Sequence, residues 1–598
     1  MKENKQSLYI ISIIFVFVLF LIQKKDKSTY SDITENEIME HIRFLSHDNK
    51  EGRYPGSRGS KDVISYIIKQ FKSYGIKPGM KSGFVQPFDI ITGIEMVGVN
   101  QVIINNDTLA PEKDYMPLSF SSNTIGSGSM VFAGYGFDIN EKNLIWNDYE
   151  NLDVKGKWVV VMRSSPERDN QHSSFTPHSA LHKKMLVARD KEALGIIFVS
   201  QVEDKELIPL QYKQGYNNVG IPAIHLSNEH ADKLFNNYGW SRKSLQEKMN
   251  SSYKGLSFYL KKELLEVTVN LSLLKTRAAN IVGQIRSGNR KYRDEYIVIG
   301  AHFDHLGKGG VGSGSRKPES TLIHPGANDN ASGTAGLLEL AQKLSSKKSQ
   351  LKRSVLLIGF DAEERGLLGS KYFVENSSIE IKDIITMINM DMIGRVTDSS
   401  ATIGGVGTSP YFKPLLDSLK VNRPLDFSLS LPGFGPSDHA AFYNKDIPVL
   451  FFFSGFHDEY HTPNDVWKNI NVKGEKNILD FIYDLVHHLS RAPTRPSFSV
   501  SGPKQQTMNT PKRFKVTLGI MPLYGSSTIG LQIDAISKPD GPAAKAGMKK
   551  DDIIKSINGK TIKDIYEYMD RLGEISKGSV VPVEIERKGK KLVLTVYF

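Results

Sequence analysis

Apolar and polar positions divide the chain into stretches of distinct texture. An unbroken apolar run, Leu8 to Ile22, stands near the N-terminus with lysines on both sides. Val63, Ile64, Ile67, Ile68 and Phe71 recur at three- and four-residue spacing, which predicts an amphipathic helix over about 60–74, preceded by a shorter one over 35–45. A polar turn, Glu51-Gly-Arg-Tyr-Pro-Gly-Ser-Arg-Gly59, separates the two. From about 95 to 268 the texture changes to short strands and turns, with buried strands expected at 159–162 and 195–199 and a helix over about 178–194 between them. From 278 to 490 strands (296–300, 354–360, 384–390 and 449–453) alternate with helices such as 331–344. Those strands are continuous runs of Ile, Val and Leu, as in a sheet covered on both faces. The strand-helix alternation predicts an α/β domain with a mostly parallel, doubly wound sheet and helices on both faces. Pro493, Pro496, Pro503 and Pro511 then mark a linker, and a compact strand-rich unit follows. The expected plan is an export segment at 1–30, an α/β domain at 31–94 and 269–492, a β-rich insert at 95–268, a linker at 493–512 and a small β domain at 513–598.

Composition narrows the chemistry. A length of 598 residues suits roughly three or four domains, and 39% hydrophobic residues against 24% charged excludes global disorder. The net charge of +12 comes from lysines interspersed with acids, with no Lys/Arg run interleaved by aromatics, so no nucleic-acid site is expected. Cysteine is absent, which removes disulfides, thiolate zinc sites and a catalytic thiol. Any metal must therefore be held by His, Asp and Glu, the ligands of an open, hydrolytic site. The N-terminal run of 15 residues is short of the roughly 20 that span a bilayer and fits the core of a signal sequence. Leu21-Ile22-Gln23-Lys24 is a poor cleavage site, so a cleaved signal and an uncleaved anchor with N-terminal membrane association both stay open. Either predicts that the rest lies outside the cytoplasm, in a periplasm or beyond the cell.

The chemistry-bearing residues fall where the strands end. His302 and Asp304 follow the first, Asp329 lies just before a helix, Glu363 and Glu364 follow the next strand, Asp391 the next, and His461 comes soon after the last. Ligands gather at the carboxyl ends of strands in such sheets. One Asp at a strand end is ordinarily a cap or turn former, and one His is ordinarily packing. Five such places in one domain point to metal. Two imidazoles and several carboxylates suit a pair of zinc ions about 3.5–4 Å apart, one carboxylate bridging. Of the adjacent Glu363 and Glu364, one would serve the metal and the other the attacking water. Two look-alikes are set aside. His457 and His461 are four apart, but no Glu follows His457, and Gly455 and Pro463 bracket a loop. Gly307, Gly309 and Gly312 mimic a dinucleotide fingerprint but open no helix; a loop over about 307–325 bordering the site is expected.

Taken in order, His302-x-Asp304, Gly326-Ala-Asn-Asp329-Asn-Ala-Ser-Gly333, Glu363-Glu364-x-Gly366-Leu-x-Gly369-Ser370, Asn389-x-Asp391-Met-x-Gly394 and Tyr460-His461-Thr-Pro463-x-Asp465 resemble the M28 family of metallopeptidases. The resemblance covers most of 38–490, and no expected ligand is missing. It implies a zinc exopeptidase-like fold with two zinc ions bridged by Asp329. His302 and Asp391 would complete one position, Glu364 and His461 the other. Glu363 would be the general base, and Asp304 would orient His302 from behind. Gly435-Pro-Ser437-Asp438-His439 matches an element near the substrate pocket, so Ser437, Asp438, His439 and Tyr460 are candidate substrate contacts; a purely structural turn is the other reading. The insert resembles a protease-associated domain at Val131–Gly136, Val154–Val161 and Ala193–Ile197. Residues 513–598 resemble a PDZ domain of the bacterial kind at Thr517–Ile520, Ile533-x-x-Ile536, Gly541–Met548 and Ile557-Asn-Gly559. There Leu518, Gly519 and Ile520 would hold the carboxylate of a C-terminal peptide added as an extra strand. The implied activity is removal of N-terminal residues from peptide substrates. A carboxypeptidase, a glutaminyl cyclase-like enzyme or a non-catalytic peptide-binding scaffold are the alternatives.

Overall fold

The first two helices form where the sequence supplies caps and an apolar stripe. Glu35–Leu45 (α1) starts at Thr34, whose hydroxyl accepts the Glu37 amide, and Arg58–Ser73 (α2) at Ser57, which accepts the Ser60 amide. Val63, Ile67 and Phe71 of α2 are wholly buried. The computed structural model describes residues 32–598 except 142–143, 171–172, 213–219, 311, 503–515, 523–529, 537, 539, 563–567 and 569–570. The expected export segment lies outside the described residues. No helix among the described residues is long and apolar enough to cross a membrane.

Val85–Met96 (β1) and Leu271–Ile285 (β2) form an antiparallel ribbon from which the insert springs. Tyr296–His302 (β3), Gly333–Ser346 (α3), Ser354–Phe360 (β4), Leu368–Asn376 (α4), Ile384–Met390 (β5), Ser400–Gly404 (β6), Phe412–Lys420 (α5), Asp426–Leu429 (β7), His439–Tyr443 (α6), Val449–Phe453 (β8) and Val472–Arg491 (α7) complete the main domain. Its sheet runs Lys77–Pro78, β2, β4, β3, β5, β8, β6, β7, with β1 paired to β2 off this path. The central four, β4-β3-β5-β8, are mutually parallel, and the flanking pairs β2-β4 and β8-β6 are antiparallel. Ile297 and Ile299 of β3 join a core with α1, α2, α3 and α7, while Val298 joins α4 and α6 on the other side. The continuous apolar strands thus make the two-faced, mostly parallel sheet that they predict.

One predicted helix is displaced by two residues from its apolar pattern, and another is shorter. Helix α3 starts at Gly333 rather than near 331, because Asp329 (φ −108°, ψ 96°) and Asn330 (φ −130°, ψ 47°) leave helical geometry. The insert helix is Leu181–Asp190, ended by a turn with Glu192 at φ 61°.

The insert folds around an eight-stranded sheet, with helices and separate cores on its two faces. The C-terminal unit packs Leu518, Ile533, Ile554, Val583, Ile585 and Val596 into its own core. Its strand Ile520–Pro522 pairs on one side only among the described residues, with Leu531–Ile536. Part of the Pro-rich stretch lies along the main domain: Ser499 donates to the Thr408 carbonyl, and Ser501 accepts from the Gly433 amide.

Candidate metal centre

Because β3, β4, β5 and β8 run parallel, the segments that follow them emerge along one edge. Register sets His302 beside Phe360 and Met390 beside Phe452, so His302, the 361–364 turn, Asp391 and the loop to His461 converge. His302 Nε2 lies 3.4 Å from Asp329 Oδ1 and 3.3 Å from Asp391 Oδ1. His461 Nε2 lies 3.0 Å from Asp329 Oδ2 and 3.2 Å from Glu364 Oε2. Asp329 therefore presents one oxygen to each imidazole. Glu363 Oε2 stands 3.9 Å from His302 Nε2. The structure brings together all seven residues of the expected centre and adds an eighth, His305, whose Nδ1 is 2.7 Å from Glu364 Oε1.

A second set of groups fixes these side chains. Asp304, wholly buried, accepts the amides of Glu363 (3.0 Å) and Glu364 (3.3 Å), and its Oδ1 is 3.6 Å from His302 Nδ1. It positions three neighbours at once, two more than sequence reasoning assigns to it. Asp465 accepts the amides of Asn328 and Asp329, holding the turn that presents Asp329. Arg53 is wholly buried and donates to the carbonyls of Leu45, Phe303, Pro325, Gly326 and Asp329. Burial lowers its pKa to about 10, against the pull of the nearby carboxylates. Gly52, at φ 62°, lets this turn approach: a Cβ there would meet the Gly307 carbonyl oxygen at 2.4 Å. The 307–325 loop borders the site, as expected. Gly314 accepts from His461 Nδ1 at 3.1 Å, and Arg316 donates to the His461 carbonyl. Neutral His461, the form a metal ligand takes, would keep its proton on Nδ1 for this bond and leave Nε2 free to face Asp329 and Glu364. His457 pairs with Glu459 and is outside the cluster.

The electrostatics call for added positive charge. Asp329, Glu363, Glu364 and Asp391 crowd against three imidazoles in a nearly sealed pocket. Burial opposes the charged form of His302 and His461, yet Asp391 and Glu363 hold His302 well above its ordinary range, and Glu364 and Asp329 raise His461 to about 11. Burial and Asp329 also oppose ionisation of Glu364, but His461 and His305 lower it to about 2. Glu363 goes the other way: burial raises it well above the usual range, His302 pulling against it and Glu364 adding to the rise. His461 Nε2 is buried and close to two carboxylates, yet aligned with neither for a hydrogen bond. Donors that share one ion at zinc distances sit about 3.3 Å apart, each aimed at the ion rather than at its neighbour. This donor set fits a zinc or similar divalent ion.

The remaining candidates differ in setting. Ser437 is wholly buried and accepts from Asn389 Nδ2 at 2.7 Å. His439 is buried and stacks on Phe451 at 4.5 Å, and burial lowers its pKa to about 3. Both are engaged in packing. Asp438 is buried with no aligned partner on either oxygen among the described residues, and burial, against the pull of His302, raises it to about 7. Tyr460 stacks on His461 at 3.8 Å and continues through Phe456 to Phe453. In the C-terminal unit Gly519 has φ 75°, Leu518 is buried, and Ile520 opens the strand with the unpaired side.

The fold and site together define an α/β domain built around a candidate metal centre. Residues 280–486 match the model of peptidase family M28, residues 127–234 that of the PA domain and residues 527–597 that of the PDZ domain. In chain order the PA match comes first, the M28 match second and the PDZ match last. It is 27% identical over 323 residues to aminopeptidase YwaD of Bacillus subtilis, covering 52% of this chain and 60% of that protein. It is 26% identical over 285 residues to leucine aminopeptidase 2 of Trichophyton rubrum, covering 41% and 52%. Among solved structures, the aminopeptidase from Aneurinibacillus sp. strain AM-1 aligns over 79% of this chain and 97% of its own, at 23% identity and TM-score 0.44. The chain spans 60% or less of the curated relatives named here.

Proposed function

We propose that this chain is a zinc-dependent aminopeptidase that removes N-terminal residues from peptides. The observation that carries the reading is the cluster itself: two donor sets, His302 with Asp391 and His461 with Glu364, share Asp329, and a second glutamate stands beside them uncommitted. Imidazole and carboxylate donors without thiolate favour zinc in a hydrolytic site. Zinc bound there would polarise a scissile carbonyl, lower the pKa of water and anchor a free α-amine. Glu363 is the proton carrier. Its Oε2 stands 3.9 Å from His302 Nε2, beyond hydrogen-bond distance, and an ionised carboxylate at that place suits taking a proton from water and returning it to the leaving amine. Asp304 keeps the Glu363 and Glu364 backbone in place while this happens. The aromatic run Phe453-Phe456-Tyr460 beside His461 favours an apolar side chain on the residue removed.

The remaining assignments belong to the same proposal. The peptidase domain comprises 31–94 and 269–492, and the PA insert shapes access. The PDZ strand edge at 520–522 takes a C-terminal peptide. The apolar run at the N-terminus exports the chain.

The test uses the purified full chain on aminoacyl-nitroanilides with free and with acetylated α-amines, before and after chelation and zinc return. Release from free-amine substrates alone, lost to chelator and restored by zinc, is expected. Turnover only of blocked substrates or of N-terminal glutamine, with metal bound, would replace the aminopeptidase reading by a carboxypeptidase or cyclase.

A further inference from the structure

One imidazole in the centre has no part in the scheme above. His305 is wholly buried at the end of β3, and its Nδ1 lies 2.7 Å from Glu364 Oε1. Gly326 lies against the ring: a Cβ on Gly326 would stand 2.5 Å from His305 Cδ2. The His305 amide donates to the Arg53 carbonyl, so both backbone and ring are held.

Two roles fit a histidine so placed: a further ligand, or a donor that orients a ligand. Three observations favour the second. The two oxygens of Glu364 are divided, Oε1 facing His305 and Oε2 facing His461 Nε2 at 3.2 Å. A separation of 2.7 Å is that of a charge-assisted hydrogen bond and is short for two donors sharing one ion. His305 Nδ1 is also 3.8 Å from Asp329 Oδ2, well beyond the His461 contact with the same oxygen at 3.0 Å. Its Nε2 is buried without a partner among the described residues, and a bare lone pair tolerates that better than an N–H. The proton therefore belongs on Nδ1, pointing at Glu364.

We propose that His305 is a positioning residue that fixes the Glu364 carboxylate through Nδ1–H and thereby sets how tightly the Glu364–His461–Asp329 position holds its ion. The proposal rests on the metal-centre reading. With Oε1 occupied, Glu364 is left one oxygen for the ion, already turned toward His461. Without that bond the carboxylate swings freely, and ordering it again opposes metal binding.

The test is metal binding by the full chain, independent of turnover. Zinc and cobalt are titrated against a chromophoric chelator into wild type, His305→Ala and His305→Asn, with the visible cobalt spectrum recorded. Asn can place an amide N–H where Nδ1–H stands. The account expects His305→Ala to weaken one of two binding events by about 10- to 100-fold and His305→Asn to restore it to within about 3-fold. The cobalt spectrum of His305→Asn should overlay that of wild type. His305→Asn binding as weakly as His305→Ala, with an altered cobalt band, would make His305 itself a ligand and overturn the proposal. So would wild-type affinity in His305→Ala, which would leave the residue a packing role. If His305→Ala is unfolded by circular dichroism, His305→Leu serves as the donor-free variant. Wild type that binds no metal would sink the centre as a whole, an outcome distinct from failure of this inference.

Discussion

Replacing Asp304 by Asn changes one atom and tests whether this carboxylate holds the site together. Asp304 accepts two amides, from Glu363 at 3.0 Å and Glu364 at 3.3 Å, in full burial. Asn keeps one acceptor, and its NH2 must face the second amide. A hydrogen bond to a charged acceptor is worth about 1.5–3 kcal/mol against about 1 for a neutral one, and a buried amide left unpaired costs about 1–3 kcal/mol. One weakened bond plus one orphaned amide comes to about 1.5–5 kcal/mol. At about 1.4 kcal/mol per tenfold in rate, full expression in the barrier lowers kcat/KM by roughly 10- to 4000-fold. The loss should fall mainly on kcat, because the groups displaced are Glu363 and Glu364 rather than the aromatic wall. The assay is steady-state release from an aminoacyl-nitroanilide, with zinc per chain measured on the same sample. Asp304→Asn within about 3-fold of wild type in kcat, with full zinc, would refute the reasoning.

Two further outcomes follow from the charge on buried groups. Without metal, His302 is raised well above its ordinary range and His461 to about 11, so both carry protons at pH 7. Ligating imidazoles must be neutral, so metal loading should release about two protons per chain and tighten as pH rises. Calorimetry in buffers of different ionisation enthalpy checks this, and a binding enthalpy that does not depend on the buffer would contradict it. Glu475, in the first turn of α7, is wholly buried with no partner on either oxygen among the described residues, and burial, then Glu339, raise its pKa well above the ordinary value. The folded chain keeps this proton where the unfolded chain has lost it. The contribution to stability is therefore complete below about pH 4 and is lost as pH rises toward the folded value. Glu475→Gln removes that dependence, so its urea midpoint should gain on wild type between pH 4.5 and pH 8; an equal offset at both would disprove it.

The sheet and the candidate ligand cluster were legible because each rests on local signals. Continuous apolar strands and the acids or imidazoles that follow them lie within a few residues of one another. What holds those ligands was not legible, because it depends on contacts between distant segments. Arg53 reaches the Phe303 carbonyl across 250 residues, and no periodicity announces that pairing. Asp465 stood in a recognised motif, yet its task, holding the turn before Asp329, appears only when the two loops meet. His305 follows Asp304 directly, but a histidine beside a ligand looks like any packed imidazole until Glu364 is placed next to it. Ser437 and His439 carry chemical side chains, and only burial assigns them to packing.

The most direct test of the central claim is Glu363→Gln, assayed together with its metal content. Gln keeps the shape and removes the base. The account predicts wild-type zinc per chain, a KM close to wild type and a kcat lowered by about 10²- to 10⁴-fold. Activity near wild type, or zinc lost along with the activity, would contradict a glutamate that moves protons without holding metal.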